Sequence, residues 1–170
     1  MAAMANVRTH AKPVIPAALA SIGRCDHVDA VAVDLPAGTN AIDFTRSVLQ
    51  ATPEWVHSLL TLRDKVMQPF GLHAQERVTA ESIRVEAGAK LGPFRLLEVS
   101  DTEVLAGDND KHLDFRTSFA VRKSATGTGT EGVCTTVVRF HRRAGRMYFM
   151  AIQPFHNLII PRLVGGAYRT

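Results

Sequence analysis

Apolar positions along the chain follow two periods, and the change between them sets the predicted architecture. Residues 28–35 alternate, with Val31, Val33 and Leu35 against Ala32 and Asp34, and Pro36-Ala37-Gly38 stops the run, so a first strand is predicted. Thr39 or Asn40 can cap a short helix to Leu49, because either side-chain oxygen accepts from an otherwise unpaired amide. Thr52-Pro53-Glu54 then sets a capping residue, a proline and an acid where a second helix would start. Trp55, Leu59, Leu62, Val66 and Phe70 follow at helical spacing and predict one buried apolar stripe. Full burial of that stripe would contribute about 7–15 kcal/mol before conformational entropy is subtracted.

Beyond Glu86 the period shortens to two. Residues 94–99, 103–106, 113–121, 133–140 and 147–152 read as strands, separated by turn-forming segments such as Gly107-Asp108-Asn109-Asp110 and Ala144-Gly145. Short connections imply an antiparallel meander. In 113–121, Leu113, Phe115, Thr117, Phe119 and Val121 share the predicted core face, while Asp114, Arg116 and Ser118 are expected to meet water. The run 147–152 is apolar on both sides. Residues 155–167 read as a short terminal helix opened by Pro154 and interrupted by Pro161. Residues 1–26 show no sustained period and are expected to form an extended arm before a single domain over 27–170.

Composition adds limits rather than a function. With 170 residues, 46% of them hydrophobic, the chain can build one core without metal or disulfide staples. Cys25 and Cys134 form neither a disulfide framework nor a four-cysteine site. No stretch of about 18 apolar residues predicts a spanning helix, and two prolines break the apolar run near the start, so a cytoplasmic protein is expected. The net charge of +4 is unevenly spread: no Asp or Glu follows Glu131, whereas Arg139, Arg142, Arg143, Arg146, Arg162 and Arg169 do.

Individual motifs are weak. Gly127-Thr128-Gly129-Thr130-Glu131-Gly132 matches the dinucleotide-binding spacing, but a strand follows it where a helix N-terminus is needed, so it reads as a hairpin turn. No nucleophile elbow and no zinc spacing occur, Cys134 reads as a small buried hydrophobe, and no aromatic-plus-basic surface suggests nucleic acid. His156, in Gln153-Pro154-Phe155-His156, is either a hydrogen-bonded structural residue or a ligand contact. Arg63 either snorkels to solvent or anchors an anionic ligand group.

Larger patterns carry a resemblance. Trp55-Val56-x-x-Leu59-Leu60-x-Leu62-Arg63-Asp64, Phe70-Gly71-Leu72, Asp110 through Arg116, Thr135-Thr136-Val137-Val138, Gly145-Arg146-x-Tyr148-Phe149 and Ile152-x-Pro154-Phe155-His156 resemble the bacterial domain-of-unknown-function family 2867, over about residues 27–165. That family is similar to the START and polyketide-cyclase-like superfamily. The resemblance implies an α+β helix-grip fold: a curved antiparallel sheet of about six strands, two short helices after strand 1 and a C-terminal helix, with an apolar cavity between sheet and helix. The short terminal helix expected here departs from that pattern, and no catalytic residue transfers.

The reading is a domain that binds a small apolar molecule, lipid- or polyketide-like, without a cofactor or metal. Trp55, Leu59, Leu62, Phe70, Phe115, Phe119, Phe140, Tyr148 and Met150 are the expected lining, with Arg63, Thr117, Thr136, Gln153 and His156 as orienting polar groups. The alternative is a cyclase, isomerase or hydrolase acting on a hydrophobic carbonyl compound through His156 with Tyr148, or Asp114 with His112. A third reading is an interaction module. Two further partners stay open: a second copy of the chain, and an acidic partner at Arg142, Arg143 and Arg146.

Overall fold

The alternating segments pair into one antiparallel sheet in the computed structural model, which describes residues 6–68, 83–91 and 94–168. The chain runs β1 (Val7–Arg8), α1 (Pro16–Ile22), β2 (His27–Leu35), α2 (Ala41–Gln50), α3 (Glu54–Met67), β3 (Lys90–Leu91), β4 (Phe94–Val99), β5 (Glu103–Asn109), β6 (Leu113–Lys123), β7 (Thr130–Phe140) and α4 (Arg143–Gly166). The strand order is β1-β2-β7-β6-β5-β4-β3, so the seven-stranded sheet is a meander with the first long strand, β2, laid against the last. The protein is α+β, and the Gly127-Gly129 segment is the β6–β7 turn, both glycines at positive φ.

One face of the sheet packs on α2 and α4. Val31, Val33, Phe119 and Cys134 meet Phe44 and Val48 of α2 and Val164 of α4. Asn40 caps α2 as expected, its Oδ1 accepting from the Asp43 amide at 2.8 Å. The close approach of α2 needs Gly132, because a Cβ there would lie 2.7 Å from the Phe44 ring.

The opposite face corrects two expectations. Residues 6–26 are not uniformly extended. Pro16 opens α1, which seats Ala18 and Ile22 against Leu105 and Val137, and Ala11 and Val14 cover Ala30, Ala32 and Val133. A seven-residue helix is too short to display a period. Asp114, Arg116 and Ser118, which the alternation assigned to water, are also buried on this face. Arg116 is satisfied there by Ser21 Oγ at 2.7 Å, two backbone carbonyls and Asn109.

The C-terminal region is the largest correction. Residues 147–152 are not a strand, and the terminal helix is not short: α4 is one 24-residue helix containing both Pro154 and Pro161. Gly145, Phe149, Ile152, His156, Ile160 and Val164 recur at helical spacing on its inner side, each buried or half-buried. Burial of that seam outweighs two missing backbone donors, so the prolines lie within the helix rather than bounding it. Gly145 brings the helix start against the His112 carbonyl, where a Cβ would clash. Among the described residues no helix is long and apolar enough to cross a membrane.

The stripe expected on α3 is corrected too. Trp55 and Leu62 are exposed, while Val56, one position away, is buried.

Candidate functional site

Alternation puts His27, Asp29, Val31 and Val33 of β2 on the face that receives α4. Directly across the strands, Asp29 pairs with Thr136 of β7, Thr136 with Thr117 of β6, and Thr117 with Ala106 of β5. Opposed residues of antiparallel strands point to the same side, so one carboxylate and two hydroxyls form a polar row across an apolar face. Phe115 and Phe119 flank Thr117 along β6, and both threonines are buried. Among the described residues neither threonine hydroxyl is engaged in a hydrogen bond.

Helix α4 completes the row. His156 Nε2 lies 3.1 Å from both oxygens of Asp29, and His27 Nε2 lies 2.8 Å from Oδ2. The His27 ring packs at a tilt against Phe149, 4.7 Å between centroids. A carboxylate only accepts, so both imidazoles donate through Nε2 and keep Nδ1 for other work. Burial raises the Asp29 pKa, but hydrogen bonds and charge from His156 and His27 outweigh it and hold the carboxyl below its ordinary 3.8. Among the described residues no group of His, Cys, Asp or Glu is arranged to hold a metal ion. Cys134, beside this row, is pushed up to about 12 by burial and then by Asp29, so it stays a thiol.

The remaining expected residues disperse. Phe115, Phe140 and Tyr148 pack around Leu113, Val138 and Phe149 at the start of α4. Gln153 is half-buried on α4, Leu59 is half-buried on α3, and Trp55, Leu62 and Met150 are exposed. Phe70 and the Arg63 side chain lie outside the described residues. Of the two acid–base pairs expected, Asp114 instead faces His141 at 2.9 Å, and the carboxylate bonded to His156 is Asp29. Asp29 and His27 were not among the expected site residues. Their only sequence signal is two polar side chains on the inward phase of β2, ahead of Val31 and Val33.

None of the curated proteins and none of the solved structures compared with the chain matches it. The model of one family, described as Protein of unknown function (DUF2867), matches residues 21–163, and the chain belongs to that family.

Proposed function

We propose that the polar row of Asp29, Thr136 and Thr117, with His156 above it, binds a small apolar molecule through a single hydroxyl or carbonyl group. The carrying observation is the alignment of these four residues from four elements on an otherwise apolar face. Aliphatic and aromatic walls supply affinity, and a few convergent polar groups fix orientation, which is the usual make-up of a small-molecule site. A helix-grip domain is the fold reading that suits it: two helices follow the first long strand and a long C-terminal helix crosses the sheet. Phe115 and Phe119 are the nearest lining, with Phe140, Tyr148 and Gln153 toward the start of α4.

A thermal-shift and native-mass screen with fatty acids, aromatic polyketides and sterols tests this. At least one class is expected to raise the melting temperature of the wild type and not of Thr117→Val/Thr136→Val. No response to any class, or an equal response in the variant, overturns it.

The His156–Asp29 contact favours a second reading, an enzyme on a hydrophobic carbonyl compound. A carboxylate behind Nε2 stabilises the imidazolium and leaves Nδ1 as the general base or acid. Turnover of a bound carbonyl ligand that disappears in His156→Gln while binding persists supports catalysis. Binding without turnover rejects it.

A further inference from the structure

Helix α4 has two apolar faces, and among the described residues only one is covered. The inner seam packs on the sheet, while Met147, Met150, Phe155 and Leu158 are 72, 63, 51 and 44% exposed. At 100° per residue these four fall on one side of the helix, with Ala151 and Pro154 between them, along about 16 Å of axis. Arg142, Arg143 and Arg146 stand at one end of the stripe and Arg162 at the other. Among the described residues none of these arginines has a carboxylate partner. Arg146 lies over the Phe140 ring at 5.8 Å, and Arg162 donates to the Leu158 carbonyl.

The charge placement works against the helix itself. The first turn of α4 holds arginines and no acid, although the positive end of the helix dipole favours the reverse. Residues 132–170 contain no Asp or Glu, so nothing on this helix offsets that cost. An anionic surface placed against the stripe would offset it.

We propose that the outer face of α4 docks on an anionic lipid surface, with Met147, Met150, Phe155 and Leu158 entering the headgroup–acyl boundary and the arginines meeting the lipid phosphates. A single convex helix face suits the plane of a bilayer, into which such a ridge can sink along its length. Pairing with a second copy through the same face sets arginine against arginine whether the helices run parallel or antiparallel, with no carboxylate on the helix to relieve it. The proposal stands apart from the ligand-binding reading, because it uses the opposite side of α4.

The test is co-sedimentation of the full chain with phosphatidylcholine vesicles, with and without phosphatidylglycerol. Binding is expected only to the anionic vesicles and to fall as salt rises. Met147→Glu/Leu158→Glu is expected to weaken it at least tenfold, and each of Arg143→Gln and Arg146→Gln about fivefold. These side chains are exposed, so the melting temperature of each variant reports that the fold is intact. Absence of binding to anionic vesicles, binding indifferent to the stripe substitutions, or equal binding to neutral vesicles overturns the proposal. So does capture of an acidic protein, or a dimer dissolved by Met150→Glu, in place of vesicle binding.

Discussion

Asp29 and Glu131 lie on the paired strands β2 and β7, on opposite faces of the sheet, and each receives two basic side chains. Glu131 takes Arg8 from β1 at 2.6 Å and Arg122 from β6 at 2.7 Å, and its side chain is 1% exposed. Asp29 takes His27 from its own strand and His156 from α4, and its side chain is 26% exposed. Both carboxyls are held below their ordinary values by these bonds, against burial that raises them. Guanidinium groups are always charged and fork onto a carboxylate, so the Glu131 cluster is a permanent staple joining β1, β6 and β7. Imidazoles change charge and keep a second ring nitrogen free. The difference separates a clamp from a candidate site: one holds the sheet together, the other stands beside two hydroxyls that no described residue engages.

The comparison breaks most visibly at the clamp. Glu131→Gln keeps the shape, loses two charge-assisted bonds and turns an amide donor toward arginine, for an expected loss of about 3 kcal/mol in urea denaturation. Ligand response should survive at temperatures where the variant is folded. Asp29→Asn should lose less, about 1–2 kcal/mol, because its surroundings reach solvent, and should abolish the ligand response outright. If the two variants behaved alike in both measurements, the distinction between clamp and site would fail.

Where local periodicity and burial agree, the sequence is a sufficient guide. The strand bounds of 94–99, the start of β6 and the Asn40 cap follow from alternation and side-chain chemistry alone. Residues 147–152 defeat that reasoning because a helix with a covered face and an uncovered apolar face looks like a strand buried on both sides. Arg116 defeats it because its partner Ser21 belongs to α1, which is seven residues long and lies far back in the chain. The site was legible in part. Thr117, Thr136 and His156 were expected as polar groups facing inward, but Asp29 was not, since His156 stands 127 residues away and β2 marks the place only by two polar side chains on its inward phase.

Acid sharpens the contrast next. Each folded-state pKa lies below the unfolded value, so the folded protein binds fewer protons and gains stability as pH rises through the carboxylate range. That contribution is complete above about pH 5 and is lost as pH falls through the lowered values. The slope of stability against pH below about 5 should flatten in both Glu131→Gln and Asp29→Asn, because each removes a carboxyl whose folded-state value lies below the unfolded one. Denaturation series at stepped pH read this directly. An unchanged slope in either variant would mean that its carboxyl is not held below the unfolded value in the folded protein.

The smallest expected change in stability is the most discriminating for function. Valine matches threonine in shape and in preference for a strand, so Thr136→Val and Thr117→Val remove a hydroxyl and little else. Neither hydroxyl is spent on a neighbour among the described residues, so each substitution should move stability by less than about 1 kcal/mol in either direction. A bound carbonyl or hydroxyl, by contrast, would lose its partner in the row, and affinity should fall about tenfold per threonine. A threonine kept only for packing would be silent in both measurements. One kept for a ligand is silent in the first and not in the second, and that asymmetry is what the Asp29–Thr136–Thr117 row predicts.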